Sequence, residues 1–263
     1  MSAPYYSTDS VELYLGDCRE VLPALGRTFD AAICDPPYGS TSLAWDRWPT
    51  GWTQAVGRVT ESMWCFGSLR MFIAHGAEFA QADWRLSHDV IGEFEVDTAV
   101  WEKHNGSGFT TDRIRCVHEL ASHWYRGAWA DVRHEVPITM DARRRRVEKR
   151  GASSVGTYGA RGASSYETDE GGPRLLTSVI RARSEHSRAI HPTQKPVGIL
   201  TPLIKYAVPS GGLILDPMAG SCSTAVAARL TGRHAVCIEA DEAMCEKAAR
   251  RLDQGVLPMG DAS

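Results

Sequence analysis

Several signals that sort proteins into classes are missing from this chain. Its 263 residues contain no run of about 18 apolar residues, so no membrane-spanning helix is indicated. The amino-terminal MSAPYYSTDS has neither the basic patch nor the apolar stretch of an export signal. A non-exported, cytoplasmic protein without membrane contact is expected. The seven cysteines, at 18, 34, 65, 116, 222, 237 and 245, form no CxxC pair, which argues against a zinc clamp and against a disulfide framework. They read as reduced thiols, and no metal is expected. Neither GxGxxG nor the GxxxxGK phosphate loop occurs, so the two commonest phosphate cradles are absent as well.

Hydrophobic residues at 43% against 23% charged are enough for one large globular domain carrying an insertion. The net charge of -3 is unevenly spread. Residues 127–190 hold 12 Lys and Arg against 8 Asp and Glu, whereas the remainder holds 17 against 24. An acidic body with one basic arm follows, and a basic arm suits a polyanionic partner.

The body reads as alternating strands and helices. SVELYLGD has the alternation of a strand, CREVLPALG is a short helix ending in Gly26, and FDAAICD is a buried strand. GWTQAVGRVTESM and RMFIAHGAEFAQAD read as helices flanking a short strand at WCFGS, with further strands near TAVWEKH and HELASHWY. From Asp141 the rhythm breaks into DARRRRVEKRGASSVGTYGARGASSYETDEGGPR, poor in core-forming residues and rich in Gly and Ser, which predicts a mobile loop or small subdomain. After Pro196 the pattern resumes with VGILTPLIKYAV, GGLILDP, CSTAVAARLTG, HAVCIEAD and EAMCEKAARRLDQG, the last helix stopped by Gly255. The fold class is a doubly wound, mostly parallel α/β sheet, with residues 1–126 and 191–263 as its two halves and 127–190 as the insertion.

Two strand-end loops carry the chemistry. In open α/β sheets ligands sit beyond the carboxyl ends of the strands. In DPMAGSCST, Asp216 ends a strand, Pro217 stiffens the exit, and Ala219, Gly220, Ser221, Cys222 and Thr224 lead into a helix whose amino terminus favours an anionic group. Glu239 closes the next strand nineteen residues beyond Gly220, near the spacing at which an acid takes ribose hydroxyls. With no phosphate loop, a nucleoside lacking phosphates fits, and S-adenosyl-L-methionine is the leading cofactor.

The second loop is DPPY, Asp35 to Tyr38. An ionised carboxylate and the Pro36 carbonyl, held extended because Pro37 follows, offer two acceptors to an exocyclic amine. Two acceptors draw the amine nitrogen toward tetrahedral geometry and turn its lone pair to an electrophilic methyl. Tyr38 supplies a flat face for an extruded base.

DPPY ahead of HPTQKP (His191 to Pro196) and DPMAGSCST resembles the β-class amino-methylating DNA methyltransferases, in which the catalytic motif precedes the cofactor motif. The resemblance covers residues 10–38, about 101–126, and 191–255. It implies a seven-stranded, circularly permuted Rossmann-like methyltransferase sheet, with the catalytic block in 1–126, the cofactor block in 191–263 and target recognition in 127–190. It also implies that Asp17 approaches the cofactor adenine with Cys18 beside it, that Asp35 lines the cofactor as well as the target, and that the loop holding His191 and Lys195 lines the methionine end, Lys195 pairing with its carboxylate. Glu239 keeps the ribose role. The family's usual loop runs GSGTT, so the Cys222 side chain must lie near the cofactor or turn into the helix packing.

The implied reaction is methyl transfer to adenine N6 in double-stranded DNA. Cytosine N4 is the runner-up, since its amine needs the same acceptors, and an aspartate at 35 in place of the serine common among N4 enzymes favours adenine. Cytosine C5 chemistry needs a cysteine nucleophile, and no Pro-Cys pair exists. A vestigial, purely DNA-binding body and a methyltransferase for RNA or protein amides are the readings from other classes. Arg143, Arg144, Arg145, Arg146, Lys149, Arg150 and Arg161 suit DNA phosphates on a flexible arm. His118 and Glu119 are neighbours on a strand and point to opposite faces, which favours a structural role; Trp101 reads as core. A homodimer is a family-level expectation.

Overall fold

The computed structural model describes residues 3–39, 42–43, 46–95, 118–149, 164–183, 189–190 and 194–254. The chain opens with β1 (Tyr6–Ser7), folded back antiparallel on β2 (Val11–Leu15). Asp17 caps α1 (Cys18–Leu25) by accepting the Arg19 N–H, and Gly26 ends it in a left-handed conformation at φ 59°. β3 (Ala31–Cys34) is buried at every residue, as its apolar run predicts.

The next helix is shorter than its sequence pattern. α2 (Trp52–Gly57) covers six residues, because Ser62 and Met63, read as the helix end, begin β4 (Ser62–Gly67). β4 is buried throughout, and that burial outweighs local helix preference. α3 (Leu69–Gln81) starts at Ser68, whose hydroxyl accepts the Met71 N–H. β5 (Arg85–Glu95) and β6 (His118–Tyr125) follow, then one short 3-10 turn at Trp129–Asp131. The later elements are β7 (Ile138–Thr139), β8 (Arg145–Lys149), β9 (Ser164–Thr168), β10 (Arg174–Leu175), β11 (Val179–Arg183), α4 (Val197–Ala207), β12 (Leu213–Asp216), α5 (Ser223–Leu230), β13 (His234–Glu239) and α6 (Glu242–Asp253). The strand expected near TAVWEKH, Trp101 within it, and the stop at Gly255 lie outside the described residues.

One nine-stranded sheet runs in the order β1-β2-β13-β12-β3-β4-β6-β5-β11. Its inner strands, β2 through β5, number the seven expected, but β5 stands where no strand was read and the one expected near TAVWEKH lies outside the described residues. β1 adds an antiparallel edge and β11 a parallel one beside β5. From β2 to β4 every pairing is parallel, and β6 runs antiparallel between β4 and β5. β12 lies directly against β3, Ile214 opposite Ala31 and Leu215 opposite Ala32. Strands from opposite ends of the sequence therefore meet at the centre. Trp52, Trp64, Phe66 and Phe79 are the largest fully buried side chains among the described residues, and burial of the two phenylalanines stabilises the fold by roughly 1.5–3 kcal/mol each.

By packing, residues 1–135 and 178–263 form one unit and residues 136–177 a second. Among the described residues the second unit holds two antiparallel ribbons, so of the two expectations for this segment, a mobile loop or a small subdomain, the structure takes the subdomain. β7 pairs with β10, and β8 with β9 so that Arg145 faces Thr168 and Arg146 faces Glu167. Arg174 grips Asp141 through two hydrogen bonds of 2.6 Å, which holds the Asp141 carboxyl well below the usual range. Residues 127–135 and β11 belong instead to the sheet-bearing unit. Among the described residues, no helix is long and apolar enough to cross a membrane and no cluster of ligating side chains could hold a metal.

Candidate active site

The carboxyl edge of four neighbouring parallel strands carries one acid per strand. Asp17 follows β2, Glu239 ends β13, Asp216 ends β12 and Asp35 follows β3. Three strand spacings separate the outer pair by about 14 Å, the scale of a nucleoside with an amino-acid tail.

At the β12 end the loop is held mainly by backbone. The Gly220 N–H donates to Glu239 Oε2 at 2.7 Å, and the Asp241 N–H to Oε1 at 2.9 Å. Both Glu239 oxygens are thus engaged within the loop, on the strand end where the ribose was expected. Gly220 has φ 49°, a region costly to other residues, and a Cβ there would meet nothing within 4 Å. The Ala219 N–H donates to the Ile238 carbonyl at 2.8 Å. Ser221 and Ser223 pair through their hydroxyls at 3.2 Å, and Arg251 donates to the Ser221 carbonyl at 2.9 Å and to Ser223 Oγ at 3.0 Å.

Asp216 is 5% exposed, and burial pushes its carboxyl up to about 7, against the bonds it accepts from Thr224 and the Met218 N–H. No cation pairs with this buried acid among the described residues, which fits a ligand that brings positive charge. Cys222 settles its own alternative. It is fully buried at φ 57°, a free thiol beside the free, buried Cys237 on β13, so the side chain turns into the packing. At the β2 end, Asp17 pairs with Arg19, which lowers its pKa, and Cys18 is buried, its thiol pushed up to about 12.

At the β3 end the bonds run between side chains. Lys195 Nζ lies 2.7 Å from Asp35 Oδ2 and 3.3 Å from Glu119 Oε1. Its ammonium therefore bridges two carboxylates of the chain, at the place where the resemblance assigned it to the cofactor's carboxylate. Burial works against that ammonium, but Asp35 and Glu119 hold its pKa above the ordinary lysine value. The Tyr38 hydroxyl lies 3.1 Å from Asp35 Oδ1 and makes a shorter hydrogen bond to Glu119 Oε1. Burial, with both carboxylates adding, raises the Tyr38 pKa well above its ordinary value. Pro36 is buried and Pro37 half-buried, which fixes the loop that presents Asp35.

Glu119 is the member of this group that sequence reasoning assigned to structure. It is the second residue of β6, and antiparallel pairing of Leu120 with Gly67 brings it to the end of β4. Its carboxyl pKa is raised by burial and by Asp35, while Lys195 and Tyr38 pull the other way. Its position depends on a pairing made with a distant strand.

Of the residues expected on DNA, Arg143 to Arg146 are exposed in the second unit. The Arg144 N–H donates to Glu170 at 2.7 Å and the Thr168 hydroxyl to the Arg143 carbonyl at 2.8 Å. Lys149 ends β8. His191, Arg150 and Arg161 lie outside the described residues.

A family model described as DNA methylase matches residues 29–250. The chain is 27% identical to the type II methyltransferase M.ScaI of Streptomyces caespitosus over 266 aligned positions, covering 96% of this chain and 84% of the relative. Among solved structures it is similar to an M1.HpyAVI-SAM complex, with TM-score 0.61, 18% identity, and coverage of 92% of this chain and 99% of that one. It is also similar to the cytosine-N4-specific PvuII DNA methyltransferase, with TM-score 0.62, 13% identity, and coverage of 97% and 91%.

Proposed function

Because the chain belongs to the N6/N4 DNA methylase family, as an S-adenosylmethionine-dependent DNA methyltransferase, we propose that its target is the exocyclic N6 of adenine, turned out of double-stranded DNA. The observation that carries the reading is the aspartate at the head of DPPY, its carboxylate held by Lys195 at the carboxyl edge of the sheet. A carboxylate so placed accepts one amine hydrogen, and the Pro36 carbonyl accepts the other. The bound cofactor supplies the electrophilic methyl at a cationic sulfur. Glu239 is the residue for the ribose hydroxyls, exchanging its bond with Gly220 for them. The Gly220 to Thr224 turn and Asp216 lie along the tail, His191 and Lys195 border the methionine end, and Asp17 and Cys18 border the adenine. Tyr38 offers its ring to the extruded base.

Unit 136–177, together with the rest of segment 127–190, is the part for DNA. Within 136–177 there are 8 Lys and Arg against 5 Asp and Glu, a sign opposite to that of the whole chain. Arg143 to Arg146, Lys149, Arg150 and Arg161 supply phosphate contacts there.

Nucleoside analysis of duplex DNA treated with the protein and labelled cofactor tests the target. N6-methyladenine is the expected product, and N4-methylcytosine would transfer the same machinery to the other base. Salt titration tests the arm. Replacing Arg143 to Arg146 with Ala should reduce the slope of log affinity against log salt by up to about one unit per lost contact, with cofactor affinity unchanged. An unchanged slope would move phosphate binding elsewhere in the insertion.

A further inference from the structure

The hydrogen-bond inventory around Tyr38 is one proton short. A phenol has a single O–H to donate, yet the Tyr38 oxygen faces two carboxylate oxygens, Asp35 Oδ1 at 3.1 Å and Glu119 Oε1 at a shorter distance. The shorter contact takes the proton. Lys195 bridges the same two carboxylates from the other side, at 2.7 Å to Asp35 Oδ2 and 3.3 Å to Glu119 Oε1. Asp35 therefore has one oxygen committed to an ammonium and one whose competing donor has been drawn away.

We propose that Glu119 is a positioning residue for methyl transfer: by accepting the Tyr38 proton and sharing the Lys195 ammonium, it keeps Asp35 Oδ1 open as the acceptor for the target amine. The proposal rests on the functional reading above and assigns that site a further member. Without the Glu119 carboxylate, the Tyr38 hydroxyl turns to Asp35 Oδ1 and competes with the amine for it. The whole Lys195 charge then falls on Asp35, which weakens that carboxylate as an acceptor toward the substrate. The geometry separates this role from simple support of the tyrosine ring. If Glu119 only pins the ring through the hydroxyl, deleting the hydroxyl reproduces the defect; if Glu119 restrains a competing donor, deleting the hydroxyl relieves it.

The experiment compares full-length wild type, Glu119→Ala, Glu119→Gln and the Tyr38→Phe/Glu119→Ala double variant. Each is assayed for transfer of tritiated methyl from cofactor to duplex DNA, with kcat and KM determined separately. Glu119→Ala should lower kcat by about tenfold or more, with the cofactor KM within about threefold. Glu119→Gln, whose carbonyl still accepts the Tyr38 proton, should keep kcat within about fivefold of wild type. The double variant should be at least about fivefold faster than Glu119→Ala, because the competing hydroxyl is gone. Thermal melts establish that each variant folds, and Glu119→Met, of similar length, takes the place of Glu119→Ala in both comparisons if the alanine variant does not. An active wild type whose double variant is no faster than the single one overturns this inference alone, as does a single variant with wild-type kcat. A folded wild type that transfers no methyl group to duplex DNA overturns the functional reading and this inference together.

Discussion

The two ends of β6 bury polar groups in opposite ways. Glu119, near its start, meets an ammonium, a phenol and a second carboxylate. His123, four residues on and fully buried, has two hydroxyls as its hydrogen-bond partners among the described residues: Ser87 Oγ at 2.9 Å from Nδ1 and Ser62 Oγ at 3.1 Å from Nε2, with the Trp64 ring centroid 4.8 Å away. Burial acts on both, raising the Glu119 carboxyl and driving His123 down to about 3, with His88 and His134 adding to the latter shift. Only Glu119 has an opposite charge to answer it. Depth in the sheet sets the penalty for ionising, and the partner decides whether a charge is retained. One end of the strand is equipped for charge that acts, the other for polarity that stays neutral.

The largest test removes a charge from the first end. Asp35→Ala should reduce methyl transfer by about 30-fold or more while the protein stays folded, since losing a positioned acceptor costs at least roughly 2 kcal/mol. Tritium transfer measures it, and activity within about tenfold of wild type would remove Asp35 from the amine's acceptors. A smaller effect probes the neutral end. Because the His123 pKa falls from 6.5 in the unfolded chain to about 3 in the fold, its neutral form stabilises fully above pH 6.5 and that contribution is lost as the pH drops toward 3. By pH 5 the loss should be about 2 kcal/mol, read from urea midpoints at pH 8 and pH 5. In His123→Gln the difference between the two midpoints should shrink, and a wild type with pH-independent midpoints would mean that His123 charges without penalty.

The smallest effect lies in the turn from Gly220 to Thr224, where two buried thiols side by side take the place of either arrangement. Cys222→Gly relieves a left-handed residue, worth about 1 kcal/mol, and forfeits a buried side chain of similar worth. Stability should change by less than about 1 kcal/mol, and cofactor affinity by less than about threefold, because the thiol faces Cys237. Thermal melts and calorimetric titration would reveal a larger change, which would place the side chain back at the ligand.

What could be read in advance divides along similar lines. The central strands at 11–15, 31–34, 213–216 and 234–239, and the loops that follow them, announce themselves because an apolar run ending in an acid is a local pattern. Glu119 gives no such notice. Alternation places it on one face of β6, but that this face meets Tyr38 and Lys195 follows from antiparallel insertion beside β4. β5 hides for a different reason, since the register shift between Leu86 and His88 breaks its period of two. In the second unit, Arg145 pairs with Thr168 across 22 residues of Gly-rich and Ser-rich sequence, whose composition leaves a loop and a small subdomain equally open. Pairing that is remote in sequence and weakly hydrophobic leaves little local trace.

The insertion of β13 and β12 between β2 and β3 also sets an order of events. A ribosome delivers β2 and β3 within the first 34 residues, but the two strands that join them arrive only after residue 212. Until then the sheet has a gap two strands wide, bordered by unpaired backbone on both sides. Closing it requires contacts spanning some 180 residues, the kind of long loop closure that slows folding and lengthens exposure of sticky edges. A nascent chain stalled before β12 should therefore be protease-sensitive and prone to associate, and once β12 and β13 are released it should pass into a protected form only as fast as that closure allows.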